Sequence, residues 1–422
     1  MLAEIITVGD ELLLGQTIDT NSAWMGEKLA LAGIAVERIT TLSDEPAALV
    51  AALDLALESK GLVLITGGLG PTVDDRTKQV LSTYFKAPLV QNDEVLADIT
   101  HWFSSRGFPM LPSNVDQALL PDTCEVLPNP QGTAQGMWFT VEGTDQVVVS
   151  MPGVPYEMKG IMVDEVIPRL VARFSLPTRY HRTVLTQGIG ESFLSQHVAS
   201  WEVGLVNRGV SIAYLPAPGQ VRVRLSAVSE NRDEAVRLVE QELSDFKSRC
   251  GEWIVSDVEG ESLAEAVVRL YTDERMTFAV AESCTGGAIA ASITAVPGSS
   301  ACFVGGVVSY VNQVKINLLG VSPDTLEAHG AVSESVVKEM AEGALRTTGA
   351  DFALATSGIA GPGGGSEHIP VGTIWIAIAG PNGVEARLLH FGQNRIRNIE
   401  KTRLEGQAWL LRKLKEYKSA VD

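Results

Sequence analysis

The chain of 422 residues and 45.1 kDa is 45% hydrophobic and 20% charged, a globular balance that excludes a disordered chain, a collagen-like repeat and a coiled coil. Its formal charge of −18 argues against a dominant nucleic-acid groove, which needs a basic face. Four cysteines without CxxC spacing, and no apolar run near the roughly 20 residues of a membrane helix, leave out a disulfide scaffold, a zinc ribbon and a membrane span.

In chain order, residues 3–9 form a short apolar run of the buried parallel-strand type. A helix carrying Trp24, Met25 and Leu29 follows and closes at Gly33. A second helix starts at Ser43-Asp44-Glu45-Pro46 and ends at Gly61. Residues 62–66 are another buried strand, with further strands at 137–141 and 146–150. This alternation predicts an α/β domain with a parallel sheet over 1–170. Residues 171–252 read differently: strand 182–186, helix 191–201, strands 210–214 and 221–227, helix 232–247, a small α+β module. A third unit over 253–422 is again α/β, with helices at 262–272, 285–294, 312–319, 333–348 and 396–417. Its strands are at 277–281, 303–310, 352–356, 372–379 and 384–391. The N-terminus carries no basic leader, so the chain is expected in the cytoplasm, with no membrane partner.

Chemistry is expected where strands break into glycine-rich loops. Gly67-Gly68-Leu69-Gly70-Pro71-Thr72-Val73-Asp74-Asp75 leaves a strand and precedes a helix. Such glycines let backbone N–H groups approach a phosphate, and the paired carboxylates could hold a divalent metal. A tight turn with an Asp cap is the other reading of the same residues. Asp10 and Glu11 end the first strand, on the edge where open α/β sheets hold ligands, and could bind metal, bind a ribose hydroxyl or cap a helix. In the third unit Ser283-Cys284-Thr285-Gly286-Gly287, Pro297-Gly298-Ser299-Ser300, Tyr310, Lys315 and the loop 356–365 gather hydroxyls, a Lys and a Tyr. No His sits in a Gly-x-Ser-x-Gly elbow or a His-Glu-x-x-His pair, so a Ser–Lys mechanism is more natural than a Ser–His–acid triad. The residue types alone do not separate Ser300 from Ser283 as nucleophile.

Together these motifs make the chain resemble the CinA (competence/damage-inducible) family over essentially its whole length. Residues 7–13 and 67–75, supported by Asn114, the 129–134 loop with Thr133, and 151–155, resemble a molybdopterin-binding (MoaB/MogA-like) domain, a three-layer αβα fold. Relatives that handle molybdopterin carry Arg-Asp where this chain has Asp74-Asp75, which suits a metal-binding variant. The resemblance implies ADP-ribose pyrophosphatase activity with a divalent metal, cobalt or magnesium, held by Asp75, Asp74, Asp10 and Glu11. Gly67, Gly68, Gly70, Asn114 and Thr133 would meet the substrate. The usual signature of that reaction, a Nudix box, is absent.

The C-terminal blocks resemble PncC-type nicotinamide mononucleotide (NMN) amidohydrolases, which need no cofactor. The resemblance implies Ser300 as nucleophile, Lys315 as its base and Tyr310 assisting, with Ser283 in the site. Thr285, Gly286, Ser357, Gly358 and Gly361 would line it, and Arg395 would meet the substrate phosphate. Val311 stands where relatives often carry Ser. The middle module resembles a KH fold without the Gly-x-x-Gly clamp of RNA binders, so it reads as a spacer or a homodimer element. The expectation is a bifunctional enzyme acting on NMN and ADP-ribose, without nucleic-acid binding. A competence or DNA-damage adaptor and a molybdopterin-binding protein are the alternatives.

Overall fold

The computed structural model describes residues 1–72 and 74–421, so Val73 of the glycine motif lies outside the described residues. These divide into two compact units, Met1–Tyr180 with Val228–Val236, and His181–Ala227 with the chain from Arg237 onward.

The first unit begins with β1 (Leu2–Val8), the single turn α1 (Asp10–Leu13), α2 (Thr20–Leu31), β2 (Ala35–Leu42), α3 (Pro46–Leu57) and β3 (Leu62–Thr66). It continues with α4 (Thr77–Tyr84), β4 (Leu89–Gln91), α5 (Asp93–Ser105), α6 (Pro112–Val115), β5 (Leu119–Pro121), β6 (Glu125–Leu127), β7 (Gly136–Thr140), β8 (Val147–Met151), α7 (Pro155–Ile161) and α8 (Ile167–Arg173). The main sheet has the order β2-β1-β3-β8-β7-β6. Neighbouring residues of each buried strand serve opposite faces. Ile5 and Leu64 pack with Met25, Leu29 and Met158, while Ile6 and Ile65 pack with Leu49, Leu53 and Leu81. This is the expected three-layer αβα sandwich. The sheet is parallel over β2, β1, β3 and β8, as the alternation predicts, and adds an antiparallel edge: β7 runs antiparallel to β8, and β6 to β7. The turn between β7 and β8 is too short for a crossover, so it closes a hairpin. The missed strand β2 is an edge strand whose Glu37 and Arg38 hid it; Arg38 Nε donates to the buried Glu4 at 2.8 Å.

Next come β9 (Thr178–Gln187), α9 (Glu191–Glu202), β10 (Val210–Ala217), β11 (Gln220–Ser229), α10 (Arg232–Cys250) and β12 (Ile254–Ser256). They form the sheet β10-β11-β9-β12, in which β12 pairs antiparallel with β9, adding a fourth strand to those read from the sequence.

The remaining elements are α11 (Leu263–Asp273), β13 (Phe278–Glu282), α12 (Ala288–Thr294), β14 (Phe303–Val308), α13 (Asn312–Leu319), α14 (Pro323–His329), α15 (Glu334–Thr348), β15 (Phe352–Gly358), β16 (Thr373–Gly380), β17 (Gly383–His390) and α16 (Arg395–Val421). The sheet order is β14-β13-β15-β16-β17, with β14, β13 and β15 parallel and the hairpin β16–β17 antiparallel. One face packs on α11, α12 and α16 through Val267, Ile289 and Trp409; the other packs on α15 through Val337 and Met340. Among the described residues, no helix is long and apolar enough to cross a membrane.

Candidate active site

Two candidate sites form, each at the carboxyl edge of an α/β sheet: a cavity in the first unit and a cluster of polar side chains in the C-terminal domain. In the first, the strand order turns back between β1 and β3, so the loops after them part. Asn21, which the sequence reading passed over, ties this edge together: its Nδ2 donates to Gly153 O at 2.8 Å and to Thr66 Oγ1 at 3.3 Å. The resulting cavity holds about 350 Å³, the scale of a nucleotide-sized ligand site. Gly67, Gly68, Gly70 and Thr133 line it, together with Glu11, Asp74 and Asp75.

Two expected residues fall elsewhere. Asn114 is buried and spends its Oδ1 on the Leu111 N–H at 3.0 Å, capping α6. Asp10 is not on the cavity wall; its backbone N–H donates to Asp44 Oδ2 at 3.1 Å, and Asp44 takes the place on the wall. Burial raises the Asp44 pKa, and the charges of Asp10, Glu11 and Asp74 raise it further. Asp75 accepts from the Thr72 N–H at 3.0 Å and from the Thr72 hydroxyl, so it shapes the glycine loop. Glu157, also missed, lies on the wall with its pKa raised by burial and accepts from Asn129 Nδ2 at 2.6 Å.

Among the described residues, no three His, Cys, Asp or Glu side chains are grouped to hold a metal ion. The donors on the wall are nonetheless hard oxygens. They fit a cation of the magnesium kind, which takes one or two carboxylates and completes its shell with phosphate and water.

In the second, the parallel strands β13, β14 and β15 all end at the same edge. Lys315, on α13, is 1% exposed, and its Nζ donates to Ser283 Oγ at 3.1 Å and to Ser309 O at 2.7 Å. Both partners are neutral. Burial therefore lowers the Lys315 pKa from the ordinary 10.5, favouring the free amine. The nearby carboxylate, Glu282, is fully buried and committed elsewhere: it accepts from the N–H groups of Gly287, Ile289 and Ala290 at 2.8–3.1 Å and caps α12. That cap starts α12 at Ala288, three residues later than the sequence reading put it. Burial pushes the Cys284 thiol up to about 12, which leaves it protonated and inert as a nucleophile.

Thr285 bonds Thr356 at 2.8 Å, and Ser357 donates to Ala331 O at 2.6 Å. Arg395, at the start of α16, donates to Gly361 O and to the Tyr310 hydroxyl, both at 2.8 Å, which gathers the loop, the Tyr and the Arg at one rim. Gly286 lies in the turn after β13, and Gly358 is the last residue of β15, paired with Ile374 of β16. Glu282, the buried Ser309 with an unpartnered hydroxyl, and Asn398, which donates to Ala360 O and Gly392 O, were not legible as functional. The acid at the strand end, before a helix lacking a Ser or Asp cap, was the one available signal.

Ser300 is the correction. It sits in a short 3₁₀ turn (Ser299–Ala301) before β14, whereas Ser283 follows β13. The strands are parallel, with Phe278 opposite Phe303 and Glu282 opposite Val308. The crossover through α12 thus returns the chain to the opposite edge of the sheet before Ser300 is reached. At ~3.3 Å per residue, Ser300 and Ser283 are separated by roughly 15 Å of strand within one chain. A direct Ser300–Lys315 dyad does not form in one chain; the hydroxyl against Lys315 is Ser283.

Three family models match the chain: a probable molybdopterin binding domain over residues 4–172, a damage-inducible protein CinA KH domain over 181–255 and a CinA C-terminal domain over 260–414. The fold and sites thus define a three-part protein that joins a molybdopterin-binding-type domain to a KH module and a CinA C-terminal domain. A CinA-like protein of Flavobacterium psychrophilum is 43% identical, covering 95% of this chain and 96% of its own. One from Cytophaga hutchinsonii is 42% identical, covering 99% of each. The chain belongs to the CinA family. Among solved structures, competence/damage inducible protein CihA from Agrobacterium tumefaciens is 40% identical over 36% of this chain and 92% of that one, with a TM-score of 0.34.

Proposed function

We propose that the C-terminal domain hydrolyses the carboxamide of NMN to nicotinate mononucleotide and ammonia. The observation that carries this reading is the buried Lys315 amine, bonded to a serine hydroxyl and a carbonyl with no counter-charge in contact. A neutral amine can accept a proton at working pH, as an ammonium cannot. Lys315 is the base, and Ser283, the hydroxyl it contacts, is the nucleophile in place of the Ser300 that the resemblance implies. The Ser283 oxygen bonds to the carboxamide carbon while its proton moves to Lys315. The C–N bond then breaks as the Lys315 ammonium returns that proton to the leaving nitrogen, releasing ammonia. Water hydrolyses the acyl-serine with the same amine as base. Arg395 supports phosphate binding at the rim.

The test is product identification with NMN, read against pH. Protonated Lys315 is inactive, so kcat/KM should climb with pH along an acid limb set by an amine below 10.5. A rate that is flat from pH 5 to 9 would remove Lys315 from the role of base.

For the N-terminal domain the proposal is hydrolysis of ADP-ribose at its pyrophosphate. The glycine loop offers backbone N–H groups to the phosphates. One or two of the wall carboxylates, drawn from Asp74, Asp75, Glu11 and Asp44, would hold a divalent cation together with substrate phosphate and water, and the cation would supply charge neutralisation at the phosphate oxygens. Excess EDTA should abolish AMP release and leave NMN deamidation intact. Asp75→Asn should lower ADP-ribose cleavage by ~10²-fold, because it serves the loop as well as the cation. Asp10→Asn, off the wall, should change it little; a null Asp10→Asn enzyme would contradict this geometry.

A further inference from the structure

Five side chains on the wall of the N-terminal cavity are carboxylates: Glu11, Asp44, Asp74, Asp75 and Glu157. When ionised they accept hydrogen bonds and give none. Among the described residues that line it, side-chain donors come from two places, the hydroxyl of Thr133 and the amide of Gln117.

Gln117 stands out for a second reason. It is 5% exposed, and its Oε1 is buried without a hydrogen-bond partner among the described residues. A buried polar atom left unpaired is costly, so such an oxygen in a cavity wall marks a place that a ligand completes. The backbone beneath it is well held. Gln117 sits in the short 3₁₀ turn Asp116–Ala118, between α6 and β5. Lys78 Nζ, from the helix that follows the glycine loop, donates to Asp116 O at 2.8 Å, and the Asn92 N–H donates to Ala118 O at 2.9 Å. The turn is fixed on both flanks while the side chain it brings to the cavity keeps an unpaired oxygen.

We infer that Gln117 reads the nucleobase of the ligand, an adenine, by pairing with its planar edge. This rests on the proposed ADP-ribose reading for the identity of the base.

The chemistry of the wall divides the ligand into parts. Phosphates need N–H groups or a cation, which the glycine loop and the carboxylates supply. Ribose hydroxyls donate to carboxylates. An adenine edge asks for something else. Its 6-amino group donates while the adjacent ring nitrogen accepts, and an amide answers both in one plane. A carboxylate would take the amino group and repel the lone pair of the ring nitrogen. Gln117 Oε1 is free to accept from the amino group, and Nε2 supplies the donor for the ring nitrogen. Leu69, Ala134 and Val154 on the same wall suit the apolar faces of a base.

Calorimetric titration of the full chain with magnesium present tests this, using AMP, ribose 5-phosphate and purine riboside 5′-monophosphate, which lacks the amino group. Wild type should bind AMP about tenfold more tightly than the purine riboside nucleotide, the scale of one hydrogen bond and its unpaired partner. Equal affinity for the two would overturn the inference. Gln117→Met keeps the bulk, removes both polar atoms and should melt no lower than wild type. It should bind AMP ~10-fold or more weakly, bind the two purine nucleotides alike, and leave ribose 5-phosphate within ~2-fold of wild type. Equal weakening of AMP and ribose 5-phosphate would mean that Gln117 holds the sugar or the loop, and would overturn the base assignment. Gln117→Glu, which keeps an acceptor and loses the donor, should weaken AMP alone in the same way. In turnover, Gln117→Met should raise KM for ADP-ribose and leave kcat within a few-fold. If wild type shows the predicted AMP preference and leaves ADP-ribose intact, the base site stands and the pyrophosphatase reading fails. If ADP-ribose is cleaved and Gln117→Met binds AMP as wild type does, the reverse holds.

Discussion

Lys315→Met is expected to lower NMN deamidation by ~10³-fold or more, the scale of losing one member of a catalytic unit, and to leave the protein at least as stable as before. Lys315 is 1% exposed, and among the described residues its Nζ bonds Ser283 Oγ and Ser309 O. A buried amine without a counter-charge is costly, and Met fills similar space without the cost. The pH dependence separates this from simple damage. The folded-state pKa of Lys315 lies below the unfolded value of 10.5, so between the two the unfolded chain binds the extra proton. Wild-type stability therefore rises with pH across that window, and the variant should lose this increment. Thermal melts of both proteins from pH 6 to 10, beside NMN assays, check the pair of effects. A variant that melts far below wild type at pH 7 would mean that the amine is a structural donor first.

Gly67→Ala is expected to destabilise the N-terminal unit by at least ~3 kcal/mol, combining backbone strain with a clash that cannot relax. Gly67 has φ +110°, and a Cβ there would stand 2.1 Å from the Val8 carbonyl oxygen. The obstacle is backbone of the central strand β1, so no rotamer relieves it. At ~2–4 °C per kcal/mol for a domain of this size, the corresponding calorimetric transition should fall by about 6 °C or more. ADP-ribose cleavage should be lost and NMN deamidation kept, because the C-terminal site is built from other strands. Equal loss of both activities would show that the loop serves more than its own cleft.

Much of this was written along the chain. The run 62–66 reads as a buried strand and 146–150 as a strand, and in the sheet both have their faces covered. Ser43-Asp44-Glu45-Pro46 announced α3, and the glycine breaks marked both ligand edges. The one-turn offset at α12 has a local cause: Gly286 and Gly287 adopt left-handed φ values of 60° and 97°, and Glu282 caps from the preceding strand.

By itself the sequence determined the order of elements, the three-part organisation matched by the family models, and which hydroxyls, acids and cations could take part in chemistry. Those are local properties, set by period, turn residues and residue type. Only the tertiary structure decided which of these groups meet. Whether Ser283 or Ser300 faces Lys315 depends on strand direction and register, and a parallel crossover sends residues seventeen apart in number to opposite ends of a sheet. The same holds for Asp44 replacing Asp10 on the cavity wall and for Asn114 turning to a helix cap. The lowered pKa of Lys315 is likewise invisible in the chain, because it arises from burial, and burial belongs to the packed sheet and helices around it.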